Sequence, residues 1–120
     1  MAQGDFCHIE FSSTDAAGTR AFFTEIFGWV FKDIPGFDTY MMYQTPRGLG
    51  GGVNFGPEAE APTTKGPVLH IEVEDIDATL ERILAKGGST VVPKTKISDE
   101  FGSFAIFLDN VGNRFGIWSN

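Results

Sequence analysis

The sequence predicts an α+β fold made of two copies of one βαβββ module. Residues 8–20 read HIEFSSTDAAGTR and residues 70–82 read HIEVEDIDATLER, and 6 of the 13 aligned positions are identical. In both copies an alternating strand precedes a helical apolar pattern, and three further short strands follow. Neither copy alone buries both faces of its sheet, so we predict a single domain over residues 1–120. Its parts are module one (about 5–55), a linker (56–66) and module two (67–120).

The first copy opens with a strand at residues 6–12. Its alternation places His8 and Glu10 on one face and Ile9 and Phe11 on the other. Polar residues at 12–15 offer N-caps for a helix that ends at Gly28. Further strands are predicted at 29–31, 38–45 and 49–55, with turns at 34–37 and 46–48.

The second copy repeats this order. A strand at 68–74 leads into a helix that Asp75 or Asp77 can cap and that Gly87 and Gly88 end. Strands are predicted at 90–92, 101–108 and 114–118, with a turn at 109–113. The polar stretch at 94–102 is predicted to be a loop that can cover a ligand site.

Composition narrows the partners and the compartment. The net charge is −7 and the pI is about 4.6, which argues against nucleic acid as a partner. No apolar run approaches the ~20 residues needed to span a bilayer, and the N-terminus lacks a signal-peptide pattern, so we predict no membrane partner. The single cysteine, Cys7, is predicted to be a small core residue of a cytoplasmic protein. Exposed sheet edges and the frequency of isologous pairing predict a homodimer.

Three segments together resemble the vicinal oxygen chelate superfamily, which contains glyoxalase I, the bleomycin resistance proteins and the extradiol dioxygenases. They read HIEFSSTDAAGTRAFFTEIFGW at 8–29, LHIEVEDIDATLERILAKGG at 69–88 and FAIFLDNVGNRFGIW at 104–118. Asn110 stands where the family's closing hairpin usually has proline. The resemblance implies one eight-stranded curved sheet with helices outside and a ligand cleft inside.

The resemblance also implies a divalent metal site. Metal-using members of the family take ligands from the first and fourth strands of each module. The first-strand positions match His8 and His70, and imidazole is a good ligand for Zn, Ni, Fe or Mn. The fourth-strand positions, which normally carry a carboxylate, match Gly52 and Gly116. Two imidazoles are fewer than the three protein ligands usual for a catalytic metal.

Two glutamates could complete the site. Glu10 and Glu72 each lie two residues beyond a histidine, on the same strand face and about 6.5 Å further along. They could supply oxygen ligands, or act as catalytic bases, because two acids that line one cleft disfavour double ionisation. The alternative is a cleft without metal in which His8 and His70 are hydrogen-bonded.

The cleft wall is predicted to be aromatic. Tyr40 and Met42 share one face of the third strand, and the matching face of module two carries Phe104. Gly52 and Gly116 would leave open space in the cleft floor. Such a wall suits a flat organic ligand.

The sequence therefore predicts a glyoxalase/bleomycin resistance/dioxygenase-like protein that binds a small molecule. One version is a divalent-metal enzyme such as a lyase or dioxygenase. The alternative is a metal-free protein that binds a ligand or sequesters an antibiotic without catalysis. A third version is a non-catalytic interaction module.

Overall fold

The computed structural model describes residues 3–120 and confirms the α+β class and the tandem βαβββ order. Its elements are β1 (Ile9–Ser12), α1 (Ala16–Phe27), β2 (Val30–Asp33), β3 (Tyr40–Gln44), β4 (Gly51–Asn54), β5 (His70–Glu72), α2 (Ile76–Ala85), β6 (Ser89–Ser98), β7 (Gly102–Leu108) and β8 (Arg114–Ser119). They divide into two compact units, one that ends at Ala61 and one from Pro62 to Asn120. In the part of the chain described, neither helix is long and apolar enough to cross a membrane.

Module one is a four-stranded mixed sheet with one helix. The strand order is β1-β4-β3-β2, with β1 parallel to β4 and the other pairs antiparallel. Helix α1 begins at the N-cap Asp15, whose carboxylate accepts a hydrogen bond from the Gly18 amide at 3.0 Å. It ends at Gly28, whose φ of 72° is a left-handed conformation that glycine adopts without a steric penalty.

The core of module one is aromatic. Phe23 is fully buried and stacks on Trp29 with ring centroids 4.6 Å apart. Trp29 stacks in turn on Tyr43 at 4.6 Å, and Phe11 contacts Tyr43 at 5.6 Å. Because these rings fill the space between α1 and one face of the sheet, the other face is left for a site.

Module two repeats the topology with a more aliphatic core. Its strand order is β5-β8-β7-β6, with β5 parallel to β8. Asp75, not Asp77, caps helix α2 by accepting a hydrogen bond from the Ala78 amide at 3.0 Å. The most deeply buried side chains of this core are Ile76, Ile83, Ala105, Phe107 and Ile117.

The predicted turn at 109–113 is confirmed. It forms a hydrogen bond with Thr63 of the predicted linker. Asp109 is buried, which raises the pKa of its carboxyl, and its Oδ1 atom accepts hydrogen bonds from the Val111 and Asn113 amides. The Asn113 side chain accepts from the Thr63 amide at 2.7 Å, and the Arg114 amide donates to the Thr63 carbonyl at 2.9 Å. Thr63 is therefore anchored to the last hairpin of module two.

Two local predictions are wrong. Residues 94–98 belong to β6, which pairs with β7 through several register shifts, so most of the predicted loop at 94–102 is strand. A strand with bulges can carry the polar residues that suggested a loop. Cys7 is exposed because β1 begins only at Ile9.

Candidate functional site

The open face of the module-one sheet carries the residues that the sequence assigned to a cleft. Glu10 of β1 lies opposite Gly52 of β4, and Gly52 lies opposite Met42 of β3. The adjacent row, which includes Phe11 and Val53, points the other way and is buried. The predicted sharing of one face is therefore observed within this module.

Tyr40 fills the space above Gly52. A Cβ atom added to Gly52 would overlap the Tyr40 hydroxyl and ring. The sequence suggested that glycine at this position leaves open space in the floor of a cleft. The structure differs, because a half-buried ring from the neighbouring strand fills that space. Sequence reasoning missed this contact, and the hairpin turn between β3 and β4 was its only sequence signal.

A hydrogen-bonded trio holds that ring. The His8 Nε2 atom lies 2.6 Å from the Tyr40 hydroxyl oxygen, and Tyr40 donates to the Glu10 carboxylate. A phenol has one proton to donate, and with Glu10 as its acceptor we assign His8 the tautomer that donates from Nε2 to the phenol oxygen. Burial, with a further contribution from Glu10, raises the pKa of Tyr40 to about 12. The phenol therefore stays protonated at neutral pH.

A cavity of about 710 Å³ lies beside the trio. Its wall comes from β1, β3, the end of β4 and the two loops that follow β2 and β4. The lining residues are Glu10, Ile34, Phe37, Thr39, Tyr40, Asn54, Gly56, Pro57 and Glu58. All of them belong to the compact unit that ends at Ala61, which contains module one and the first residues of the predicted linker.

The open face of module two is arranged differently. His70 of β5 lies directly opposite Gly116 of β8, and a Cβ atom added to Gly116 would overlap the His70 imidazole. Phe104 meets the His70 ring edge-on at a centroid distance of 6.5 Å. Glu72 lies opposite Trp118. The predicted residues again share a face, but the ring over the glycine is the histidine itself.

The strand registers show that the two histidines are not structurally equivalent. The hairpins β3–β4 and β7–β8 have the same strand register at a shift of 64 residues, which pairs Gly52 with Gly116. The residue opposite Gly52 is Glu10, and the residue opposite Gly116 is His70. His70 therefore corresponds to Glu10 in the fold, although it corresponds to His8 in the sequence repeat.

The helix caps show the same offset. The N-cap Asp15 comes seven residues after His8, and the N-cap Asp75 comes five residues after His70. Counted from the cap, the counterpart of His8 is Val68, which cannot bind a metal. The HIE repeat is thus displaced by two residues between the two modules.

The residues present do not fit the four-ligand metal site that the resemblance implies. In residues 3–120, no three His, Cys, Asp or Glu side chains lie close enough together to hold a metal ion. Both expected carboxylate positions are glycines covered by rings. The Nε2 atom of His8 is engaged by Tyr40, which leaves only its Nδ1 atom for another partner.

Similar proteins cover nearly the whole chain. The putative glyoxylase CFP32 of Mycobacterium tuberculosis is 27% identical over 120 residues, which cover 97% of this chain and 46% of the relative. The chain therefore spans about half the length of that relative.

Solved structures show the same fold. A glyoxalase/bleomycin resistance protein/dioxygenase family enzyme from Burkholderia phytofirmans PsJN matches with a TM-score of 0.76 and 17% identity, covering 97% of this chain and 98% of that one. The fosfomycin resistance protein FosX from Listeria monocytogenes, complexed with Mn(II) and sulfate, matches with a TM-score of 0.75 and 19% identity, covering 99% and 92%. At these identities the likeness concerns the fold alone.

A family model matches residues 6–117, from three residues before β1 to within β8. That range includes both modules, both glycines covered by rings and the trio of His8, Tyr40 and Glu10. This chain belongs to the glyoxalase/bleomycin resistance protein/dioxygenase superfamily.

Proposed function

We propose that this protein binds a small organic ligand directly, without a metal ion, in the cavity of module one. The observation that carries the proposal is the placement of Tyr40 over Gly52, where its hydroxyl bonds to His8 and Glu10. The ring takes the space of a metal-binding carboxylate and engages the imidazole nitrogen beside it.

The cavity has the size and wall of a small-molecule site. Its volume of about 710 Å³ falls within the roughly 300–1,000 Å³ typical of ligand pockets. Phe37 lines it with a side chain that is 63% exposed and therefore accessible to a ligand. Tyr40 adds a second ring, and Asn54 and Thr39 add polar groups that can orient a ligand.

Fragment binding with and without a chelator tests the proposal. We expect aromatic fragments to shift the amide resonances of module one in a saturable way that EDTA does not change. Tyr40→Ala should abolish these shifts, whereas Phe104→Ala, the matched change in module two, should retain them. Shifts that vanish with EDTA, or that survive Tyr40→Ala, would contradict the proposal.

A divalent-metal enzyme is the second candidate. The histidines His8 and His70 are both exposed, as ligands of an open site would be, and FosX, which shares the fold, has been solved with Mn(II). In this version His8 and His70, with Glu10 and Glu72 as further ligands or bases, would hold Zn, Ni, Fe or Mn. The metal would polarise a substrate oxygen for lyase or dioxygenase chemistry.

Elemental analysis of protein purified without a histidine tag separates the two candidates. Near-stoichiometric metal that disappears in the His8→Ala/His70→Ala double variant would support the enzyme and contradict direct binding. Metal content close to zero, unchanged after incubation with each of the four metals, would count against the enzyme.

We also propose that the protein is a cytoplasmic homodimer. Strands β2 and β6 lie at the ends of their sheets and offer edges to a second copy. The exposed thiol of Cys7 suits a reducing compartment. Light scattering behind size exclusion should give twice the chain mass of 13.1 kDa, and a mass of one chain would overturn the dimer.

A further inference from the structure

We infer that the ligand of the module-one cavity is an organic cation with a flat apolar body. The inference rests on the proposed function and adds the chemical class of the ligand. It stands on the combination of an open cavity of about 710 Å³, two aromatic rings and two carboxylates in one wall. Rings and carboxylates both attract positive charge, so the two kinds of group select the same ligand.

The charges of the wall have one sign. Glu10, in β1, and Glu58, in the loop after β4, both line the cavity. Of the described residues that line it, none is a lysine, arginine or histidine. The whole chain carries a net charge of −7, so the surrounding field also favours a cation over an anion.

The Tyr40 ring, not its hydroxyl, is left for the ligand. The hydroxyl accepts from His8 and donates to Glu10, so its single proton is already used. A carboxylate has two oxygens, so Glu10 keeps acceptor capacity after bonding to Tyr40. A cation on the ring face therefore meets both the π electrons and the Glu10 charge.

Backbone turns position Phe37 and Glu58 at the cavity wall. The Phe37 amide donates to the Ile34 carbonyl at 3.0 Å, which turns the loop after β2. The loop after β4 is tied by the Gly56 amide, which donates to the Asn54 side chain at 3.0 Å. Glu58 follows in this second loop. Phe37 and Glu58 are thus brought to the wall by short turns instead of long flexible segments.

Three soluble probes of the same size and shape test the inference. They are 2-phenylethylammonium, 2-phenylethanol and phenylacetate, which share a ring and differ in charge. We expect the ammonium to bind about tenfold tighter than the alcohol, and the carboxylate to bind weakest, by titration followed with NMR. The preference for the ammonium should shrink at about 1 M salt, because screening reduces attraction to exposed carboxylates.

Variants assign the preference to the cavity. Glu10→Gln and Glu58→Gln should each narrow the ratio between ammonium and alcohol affinity by about threefold. Glu81→Gln, on the exposed face of α2, makes the same change in net charge and should leave the ratio unchanged. A ratio that falls equally in Glu81→Gln would overturn the inference.

The probes also distinguish the choice of a cation from direct ligand binding as such. Equal binding of the ammonium and the alcohol would overturn the choice of a cation and leave direct ligand binding supported. Binding of none of the three, to a protein shown to be folded, would count against the proposed function and the inference together.

Discussion

The two modules share a topology and differ in their interiors. Each is a βαβββ unit with an aspartate-capped helix and one open sheet face. Phe23 of module one and Ile83 of module two each lie eight residues after the cap, and both are fully buried. In module one the Phe23 ring belongs to a stack of aromatic side chains. The buried side chains of module two are mostly aliphatic, apart from the stacked pair Phe107 and Phe115. The same framework therefore tolerates two kinds of core.

The open sheet faces of the two modules also differ. In both modules a ring covers the glycine of the last strand, but in module one the ring is Tyr40, held by two polar partners, and in module two it is His70 alone. The difference follows from the offset of two residues in the first strand. A short displacement along one strand thus separates a hydrogen-bonded trio from a single exposed imidazole.

Deleting the paired core residues should have the largest effect. Phe23→Ala should lower the free energy of unfolding by about 3–5 kcal/mol, because its ring contacts several others and leaves a cavity. Ile83→Ala should cost less, about 2–4 kcal/mol, because less apolar surface is lost. Urea unfolding of the full chain measures both. A larger loss for Ile83→Ala would show that the aliphatic core is the tighter one.

Filling the two covered glycines should have a smaller and unequal effect. Gly52→Ala should cost about 1–3 kcal/mol, because Tyr40 is half-buried and tied to His8 and must move. Gly116→Ala should cost less than about 1 kcal/mol, because the exposed His70 ring can turn into solvent.

A double-mutant cycle checks the cause. Tyr40→Ala should relieve most of the cost of Gly52→Ala, so the two changes should not be additive. Additive losses would mean that the Tyr40 ring is not what Gly52 accommodates, and the contrast between the modules would lose its basis.

Removing the helix caps should have equal effects in the two modules. Asp15→Ala and Asp75→Ala should each cost about 1 kcal/mol, because each carboxylate accepts from an amide of the first helical turn at 3.0 Å. Asp77→Ala, within α2 instead of at its cap, should cost less than about 0.5 kcal/mol. Thermal unfolding measures all three, and an equal loss for Asp77 would place the cap there.

Deprotonation of the tyrosines should destabilise module one, and this loss should begin only above about pH 10. Both tyrosines of the chain lie in module one, and burial raises the pKa of Tyr43 to about 12 from an ordinary 10. The folded state therefore holds its proton more tightly than the unfolded state. The resulting stability is complete below pH 10 and is lost as the pH rises from 10 through about 12.

Absorbance at 295 nm follows this titration directly. Folded protein should form phenolate near pH 12, and Tyr43→Phe should remove half of the signal. Phenolate that forms near pH 10 while the far-ultraviolet circular dichroism remains native would contradict the burial of Tyr43.

Much of the fold could be predicted from residue patterns. Alternation located β1, and the capping aspartates and terminal glycines bounded both helices, because these signals are local. The end of β6 was missed, since bulges let polar residues remain in a strand. Of the site, the shared face of Glu10, Tyr40, Met42 and Gly52 followed from alternation and the hairpin. The bond between Tyr40 and His8 did not, because it joins β3 to the residue before β1.

The sequence by itself determined the class of fold, the two modules and which side chains face away from each helix. Only the tertiary structure decided the register of β1 on β4 and of β5 on β8. A slip of one residue would turn every side chain to the opposite face, so the apolar pattern excludes it. A slip of two residues keeps every face and leaves the pattern satisfied. Packing against neighbouring strands selects one of the registers that differ by two residues. The selected register places Glu10 beside Gly52 and His70 beside Gly116.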